Sequence, residues 1–410
     1  MRCIARATRR SAAATILAAL QLSAQVQSRD SAGIRIVSSA RPAWNDSQAL
    51  RLDSTPRLVI GNATDSAYRL SQVRSVMVLS DGRIAVADGA SLQLRLFSSD
   101  GRFHTAGAGK GTGPGELQQI VFIRRLRGDS IAIIGNFSTV QLYSGTAQYA
   151  RTLTLPEAPN AGTPRRSLLV AMLNDGTRIA APMSAPEPRA VGMRWIDSLD
   201  LRLVAPDNTV VRQLGTFGHV ALEQVASGLT QPWLSPIAAF AGGDDRFYAG
   251  YGDRYEIRVF DGQGILRSII RRSWTPTPIT RDDWKYWVTE WSKRWIRSTG
   301  EQRDREIDDV LKSPYARQNP AFSEMIVDQS GRLWVRDAHW QDAIGAGTLN
   351  DMPIIPSRWS VFDTAGSWLC DVTMPAGFQV FDIGADYVAG RTAGKAMDQA
   401  VIYRLRTNGK

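Results

Sequence analysis

The stretch Ser75–Phe103, SVMVLSDGRIAVADGASLQLRLFSSDGRF, decides the fold of this chain of 410 residues. A short apolar strand ends in the polar turn Asp81-Gly82, and a second apolar strand follows. The Asp-Gly pair favours a tight hairpin turn, because glycine adopts a positive φ at little cost. Apolar and polar residues then alternate over Leu92–Phe97, as is typical of a β-strand. The stretch therefore predicts a meander of antiparallel strands.

The same pattern recurs along the chain, so that six copies can be aligned. The further copies are Phe122–Leu155, Leu168–Leu214, Ile237–Ile270, Phe322–Val372 and, in truncated form, Phe378–Leu405. Repetition at about 40–50 residues with several strands per unit is typical of a β-propeller, in which each unit buries its apolar faces against its neighbours. The repeats predict an all-β fold with one blade per copy.

Two of these units carry a family resemblance. Val76–Phe97 and Met325–Phe362 resemble the NHL-repeat class of six-bladed β-propellers, whose blades read strand, Asp-Gly turn, Val-Ala-Asp strand and a strand ending in Phe-Asp. The Gly-rich segment Gly107–Leu117 resembles the connection between consecutive blades of that class. The resemblance covers roughly Arg57 to the C-terminus and implies a six-bladed propeller. The class includes binding proteins and enzymes, so the resemblance leaves the activity open.

The N-terminal part of the repeat region is expected to close the ring. The last copy lacks an outer strand, while Arg57–Gly61 matches Phe103–Gly107, the outer strand of the first copy. We expect this segment to complete the sixth blade, because closure removes exposed sheet edges. The predicted organisation is a signal peptide at 1–24, a lead-in segment at 25–56 and the propeller at 57–410, with a helical insertion at about 280–313 between the fourth and fifth blades.

The first residues predict export. Four arginines in the first ten residues precede the apolar stretch Ala12–Leu22, and Ser23-Ala24 offers a cleavage site for a signal peptidase. The apolar stretch is too short to span a bilayer. We therefore expect a periplasmic or extracellular monomer with no membrane segment after cleavage. Cys370 would be its single cysteine, and the surrounding strand pattern predicts a buried, inert thiol.

Charge and motifs exclude several function classes. The formal charge of +10 includes no Lys/Arg run of the kind that binds nucleic acid. Gly107–Leu117 lacks the glycine and hydroxyl positions of a phosphate loop and the third glycine of a dinucleotide fingerprint. No Gly-x-Ser-x-Gly nucleophile motif occurs. The sequence therefore assigns no cofactor, and the ligand class stays open between a protein, a small molecule and a carbohydrate.

The long connections fall on one end of the predicted blades. Turns between first and second strands are short, whereas links between second and third strands and between blades are expanded. The expanded links are Pro182–Arg189, Thr216–Ser235, Trp274–Pro320 and Ala338–Ser357. Insertions gathered on one side of a repeat protein usually mark its binding face. We call this end the loop-rich face and expect function there.

The largest link contains a predicted helix. Thr280 and Asp283 form a capping-box pattern, after which Trp284, Trp287, Trp291 and Trp295 fall on one helical face, and Gly300 ends the helix. A second, charged helix is predicted over Glu301–Lys312. The tryptophans could stack on sugars, rest at a membrane interface or pack the helix onto the propeller. We favour packing, because an exposed tryptophan stripe promotes aggregation.

The most suggestive polar cluster is Asp337-Ala-His339-Trp340-Gln-Asp342 on the loop-rich face. An imidazole between carboxylates suits a general base or part of a metal site, and a polar loop histidine without catalytic role is the alternative. The candidate ligand-binding residues are Asp337, His339, Trp340, Trp284 and Trp287. The best interpretation is an exported binding or scaffold module.

The alternative function is a metal-dependent hydrolase or lyase. Propeller enzymes of the gluconolactonase type hold a divalent metal in the axial channel through carboxylate and amide groups from different blades. The matching positions here would be Asp88, Asn136, Asp253 and Asp337. No catalytic residue can be assigned from local motifs, and the identity of a metal stays unknown.

Overall fold

The computed structural model describes residues 26–61, 64–136, 139–156, 167–183, 185–344, 353–394 and 397–407. Within these residues the strands form six sheets that follow the sequence repeats in order. The predicted signal peptide lies outside the described residues. None of the helices in the described part of the chain is long and apolar enough to cross a membrane.

Sheets 1 and 2 are four-stranded antiparallel meanders. The strands of sheet 1 are Val73–Val78, Ile84–Asp88, Gln93–Phe97 and Phe103–Gly107. Those of sheet 2 are Phe122–Arg125, Ile131–Asn136, Thr139–Tyr143 and Tyr149–Thr154, with a short 3-10 helix at Arg127–Asp129. The predicted Asp81-Gly82 turn is confirmed, since Gly82 has a φ of 85°.

Sheet 3 is expanded into a long hairpin. Its strands are Ser167–Met172, Arg178–Pro182, Arg194–Val204, Val210–Val225 and Gly228–Thr230. The prediction of a loop over Thr216–Ser235 is wrong for residues 216–225 and 228–230. Residues 216–223 pair with Arg194–Asp200, and residues 223–225 pair with Gly228–Thr230. Polar and apolar side chains alternate only irregularly there, since most are partly exposed on both faces.

Sheet 4 has six strands, because the N-terminal lead-in joins it. Its own strands are Ala238–Gly242, Arg246–Tyr251, Glu256–Asp261 and Leu266–Arg272. The hairpin Val26–Ser31 and Ile34–Ser39 adds to its outer edge, and its second strand runs parallel to Leu266–Arg272. The lead-in is therefore part of a sheet and covers an edge that would otherwise be open.

Sheets 5 and 6 complete the series. Sheet 5 consists of Glu324–Val327, Leu333–Arg336, Ser357–Phe362 and Trp368–Met374. Sheet 6 consists of Phe378–Ile383, Tyr387–Ala393, Asp398–Thr407 and the N-terminal strand Leu50–Ile60. The N-terminal strand pairs antiparallel with the last strand, as expected for the predicted closing segment, although it begins at Leu50 rather than Arg57.

The apolar core lies between the sheets. Six clusters of buried side chains each join two consecutive sheets, and the sixth joins sheet 6 to sheet 1. Along the second strand of sheet 1, Ile84 and Val86 belong to the cluster with sheet 6, whereas Ala85 and Ala87 belong to the cluster with sheet 2. A strand buried on both faces explains this uninterrupted apolar run, because successive side chains point to opposite faces.

The helical insertion lies between sheets 4 and 5. Helix α1 spans Arg281–Trp295 and helix α2 spans Gly300–Lys312. The predicted capping box is confirmed: the Asp283 amide donates to the Thr280 hydroxyl at 3.1 Å, and the Thr280 amide donates to the Asp283 carboxylate at 2.9 Å. The prediction of a buried Cys370 is confirmed as well, since it is free and burial raises the pKa of its thiol.

Candidate functional site

A cleft of about 510 Å³ lies on the loop-rich face between sheets 4 and 5. Three segments form it: the chain leaving sheet 4 at Arg272–Thr277, the return from the helices at Asn319–Ala321, and the link after the second strand of sheet 5. Two sequence-predicted residues, Asp337 and His339, line this cleft together with Asp342. The predicted cluster of one imidazole and two carboxylates is thus gathered around a single cavity.

Asp337 is held between two arginines. It follows the second strand of sheet 5 directly, and its amide donates to the Arg358 carbonyl at 2.9 Å. One carboxylate oxygen accepts a hydrogen bond from the Arg272 guanidinium, and the other lies 3.0 Å from Nε of Arg358. Burial raises the pKa of Asp337, against the opposing influence of both arginines. Its side chain is 26% exposed, so the carboxylate remains accessible from the cleft.

Arg272 is a rigid anchor for this carboxylate. Its guanidinium lies over the Tyr255 ring at 4.2 Å and over the Trp368 ring at 4.6 Å. Burial alone would lower the pKa of Arg272, but Tyr255 and Asp337 outweigh it and hold the pKa above its usual value. A cation desolvated between two aromatic faces gains cation–π energy and loses little freedom when it binds a carboxylate.

Burial favours the neutral form of the His339 imidazole, and one of its ring nitrogens already has a hydrogen-bond partner. Burial lowers the pKa of His339, while Asp342 and Asp283 oppose the shift. Its Nδ1 accepts a hydrogen bond from the Gln341 amide at 3.3 Å, and its ring stacks on Trp340 with centroids 5.6 Å apart. In the neutral ring, the nitrogen that accepts carries no proton, so Nε2 carries the hydrogen and acts as a donor. The ring is better placed to donate to a ligand than to act as a general base.

Asp342 is the buried carboxylate of the cluster and holds the neighbouring loop in place. It lies in the 3-10 helix Trp340–Ile344 and is buried, 3.0 Å from Nη2 of Arg336. Burial raises the pKa of Asp342, and the Arg336 guanidinium opposes the shift. The backbone amide of Asp342 also donates to the His339 carbonyl at 3.0 Å. The buried ion pair with Arg336 therefore fixes the loop that carries His339.

The tryptophans of helix α1 form a packed stack. Trp284 and Trp287 are fully buried and parallel, with centroids 5.1 Å apart, and Trp284 stacks on Tyr315 at 4.6 Å. Trp340 is buried in the same cluster, so the stack packs the insertion against the loop behind the cleft. With both rings covered, neither Trp284 nor Trp287 offers a face to a ligand in this conformation.

The metal-site candidates occupy separate environments. The Asp88 carboxylate accepts from the Gln72 amide at 3.0 Å and the Ser91 hydroxyl at 2.7 Å, and it lies 3.7 Å from Arg95. Asp253 lines a different cleft of about 190 Å³, and burial raises the pKa of its carboxyl. Asn136 ends the second strand of sheet 2. No group of three or more histidine, cysteine or acidic side chains suited to a metal ion occurs among the residues that the structure describes.

Sequence reasoning missed the residues that complete the cleft. Arg272, Arg358 and the half-buried Trp274 line it beside Asp337, and Asn319 accepts from the Trp340 amide at 2.8 Å. One sequence signal could have pointed to Arg272. The pair Arg271-Arg272 ends an apolar strand, and Arg272 places a charge at a buried position. Its partners lie far away in the sequence and could not be identified from it.

Comparison with known proteins supports the fold alone. No family model and no curated protein matches the chain. A member of the DUF4221 family from Bacteroides vulgatus is similar in structure, with a TM-score of 0.54, 9% identity, and coverage of 88% of this chain and 99% of that one. A Bacteroides fragilis protein whose name describes it as exported gives a TM-score of 0.48 at 14% identity, covering 91% and 99%.

Virginiamycin B lyase from Staphylococcus aureus gives a TM-score of 0.39 at 10% identity, covering 85% of this chain and 98% of that one. The consecutive antiparallel meanders form the architecture of a β-propeller, and the similarity to the DUF4221 protein concerns this fold alone.

Proposed function

We propose that this protein is an exported binding module that holds a small polar ligand in the cleft on its loop-rich face. The observation that carries the proposal is the Asp337 carboxylate, fixed between Arg272 and Arg358 yet open to a cavity of about 510 Å³. Binding sites combine a concave, partly apolar wall with a few polar groups of fixed direction, and this cleft has both.

The fold on which this proposal rests is a closed, six-bladed propeller of the NHL-like class. The six sheets, the apolar clusters that join each sheet to the next, and the pairing of Leu50–Ile60 with Asp398–Thr407 support this ring. The signal peptide at 1–24 is part of the proposal and carries the chain to the periplasm or the cell exterior. The mature protein acts as a monomer.

The cleft favours a ligand rich in hydroxyl groups, such as a short carbohydrate. The half-buried Trp274 supplies an apolar face, Asp337 supplies an acceptor, and Arg358, whose side chain is 50% exposed, supplies donors. His339 adds a donor through Nε2. Alternating donors and acceptors beside an aromatic face match the edges and apolar faces of a sugar ring.

Titration of the mature protein with a panel of soluble oligosaccharides, followed by tryptophan fluorescence, tests the proposal. We expect saturable quenching in the wild type and at least about tenfold weaker binding for Asp337→Asn and Arg358→Gln, because each loses a charged hydrogen-bonding group. Trp274→Phe should lose most of the signal. Trp295→Phe is the matched control, since Trp295 is 50% exposed and lies outside the cleft.

Two results would reject the proposal. The first is the absence of saturable quenching with every member of the panel. The second is binding that Asp337→Asn and Arg358→Gln leave at the wild-type affinity while both variants keep the wild-type circular dichroism spectrum.

The alternative, a metal-dependent hydrolase or lyase, has less support from the geometry. Both oxygens of Asp337 face a guanidinium, which disfavours a divalent cation beside them. Melting curves with Ca²⁺, Mn²⁺ and Zn²⁺ separate the two functions. A rise of several degrees that is lost in Asp88→Ala or Asp337→Ala would favour the enzyme over the binding module.

A further inference from the structure

A second cavity lies at the opposite end of the sheets from the cleft. Its volume is about 470 Å³. First strands of the sheets and the short turns that follow them line it. Every sheet contributes to its wall, so the cavity occupies the place where all six meet. One polar residue from each sheet illustrates this: Ser80, Arg124, Asn174, Asp244, Gln329 and Asp382.

Arg124 enters this cavity wall with neutral partners only. It lies in the first strand of sheet 2, and its Nη2 donates to the Gly242 carbonyl and, at 3.1 Å, to the side-chain oxygen of Asn174. Its Nε is buried and has no hydrogen-bond partner within the described ranges. Burial lowers the pKa of Arg124 to about 10; the Asp382 carboxylate opposes this shift, and the charge of Arg125 adds to it.

Arg125 is bound in the same way. Its Nη1 donates to the Val78 carbonyl at 3.1 Å. With the Gln329 amide oriented so that its oxygen faces the donors, that oxygen accepts from Nη1 and Nη2 of Arg125 at 3.0 and 3.2 Å. Two consecutive guanidinium groups therefore line the cavity with amide and carbonyl oxygens as their hydrogen-bond partners.

The carboxylates that line the cavity form their hydrogen bonds and ion pairs with groups other than Arg124 and Arg125. Asp382 accepts from the Val78 amide at 2.9 Å and the Tyr387 hydroxyl at 2.8 Å, and burial raises the pKa of its carboxyl. Asp244 accepts from Asn174 at 2.5 Å. Asp129 binds Ser80, and Asp328 binds Arg332 and the Trp334 indole. In the portion of the chain that the structure describes, no ion pair joins a carboxylate to Arg124 or Arg125.

We infer that this cavity is an anion site in which Arg124 and Arg125 together bind a small oxyanion, a carboxylate or a phosphate group. Asp382 and Asp244 favour the charged form of Arg124, but no carboxylate of the described residues forms a direct ion pair with either guanidinium. The unpartnered Nε of Arg124 therefore remains available to a bound anion. Guanidinium groups suit such a ligand because their donors match the two oxygens of a carboxylate or phosphate. The site differs from the proposed cleft in position, residues and ligand charge, so each can fail independently.

Thermal melting of the mature protein in sodium phosphate, sodium malonate and sodium chloride at equal ionic strength tests the inference. At about 10 mM anion we expect phosphate or malonate to raise the melting temperature by about 2–4 °C above chloride. Comparison of the two anions identifies the preferred group. A rise with either one supports the site.

Variants assign any effect to the two arginines. Arg124→Gln and Arg125→Gln should weaken anion binding at least about tenfold in calorimetric titration. Arg151→Gln, which changes an exposed arginine in the outer strand of the same sheet, should bind like the wild type. Arg124→Lys keeps the charge but loses the forked donors, and it should fold and bind more weakly even if the glutamine variants do not fold.

Either of two results would overturn the inference. One is a melting temperature that phosphate and malonate raise no more than chloride does. The other is an anion-specific rise that Arg124→Lys and Arg125→Gln retain in full.

Discussion

Arg272 is the residue on which the geometry of the cleft most depends. Its guanidinium fills the space between the Tyr255 and Trp368 rings and binds the Asp337 carboxylate. Removing it would leave a half-buried carboxylate with Arg358 as its remaining cation and would open a gap between two aromatic rings. The residue thus supports the fold and the direction of Asp337 at once.

We predict that Arg272→Leu lowers the free energy of unfolding by about 2 kcal/mol, less than the loss for a fully buried pair because Asp337 is partly exposed. Urea denaturation provides the measurement. Arg267→Leu is the control, since its ion pair with Asp261 involves a side chain that is 60% exposed and should contribute about 0–1 kcal/mol. Equal losses for both variants would contradict the role given to Arg272.

His339 makes the stability of the folded protein depend on pH, and the direction of its pKa shift fixes the sign. Its pKa is lowered below the ordinary value of 6.5 by burial, so the unfolded chain takes up a proton before the folded one. The stability that His339 contributes is therefore present above about pH 6.5 and is lost as the pH falls through the folded pKa. His219, whose pKa burial also lowers, acts in the same direction.

We predict that His339→Gln flattens the fall in unfolding free energy between about pH 7 and pH 5, by at most about 1.4 kcal/mol per pH unit. Carboxyl groups with a raised pKa, such as Asp342, make the opposite contribution to the unfolding free energy. They are present in both proteins, so the comparison with the wild type removes their contribution. Urea titrations at several pH values measure the difference. Parallel curves for the two proteins would show that His339 titrates normally.

At the scale of elements, helix α1 is held by its tryptophan stack. Trp284 and Trp287 are fully buried against neighbouring aromatic rings. Trp295, at the end of the same stripe, is 50% exposed to solvent. The stripe therefore divides by position: its first turns pack the insertion, and its last turn extends beyond the contact. Sequence periodicity alone does not reveal where such a division lies.

We predict that Trp284→Ala destabilises the protein by about 3–5 kcal/mol, the usual loss for a large buried aromatic side chain. Trp295→Ala should stay within about 0.5 kcal/mol of the wild type, because its side chain is half exposed. Chemical denaturation followed by circular dichroism measures both. Similar effects of the two substitutions would contradict the packed stack.

Sequence patterns predicted several elements that local chemistry decides, although Gly300 begins the second helix and does not end the first, which stops at Trp295. The Asp81-Gly82 turn and the Thr280–Asp283 capping box depend on residues a few positions apart, and the structure has both. The pairing of Ile34–Ser39 with Leu266–Arg272 depends on segments more than two hundred residues apart, which no local pattern specifies. The same holds for the cleft: Asp337 and His339 were predicted, while Arg272 and Trp368 were not.

At the scale of the whole molecule, the N-terminal strand joins the two ends of the chain. Leu50–Ile60 pairs with Asp398–Thr407, and Ile60 is buried in the cluster between sheets 6 and 1. Without this strand, the last strand of sheet 6 would become an open edge, and two apolar clusters would lose side chains.

We predict that a chain beginning at Gly61 loses cooperative unfolding or aggregates, whereas one beginning at Leu50 melts cooperatively at a reduced temperature. Both truncations remove the hairpin on sheet 4, so their difference reports the closing strand alone. Calorimetry provides the comparison. The same melting temperature for both chains would argue against a ring closed by Leu50–Ile60.

The central claim is ligand binding in the cleft between sheets 4 and 5. It is tested most directly by hydrogen exchange of the protein with and without the oligosaccharide that quenches its fluorescence most strongly. We predict slower exchange in the three segments that form the cleft, which are Arg272–Thr277, Asn319–Ala321 and Asp337–Asp342. The opposite end of the sheets should be unchanged. Protection confined to other segments, such as the long hairpin of sheet 3, would contradict the account.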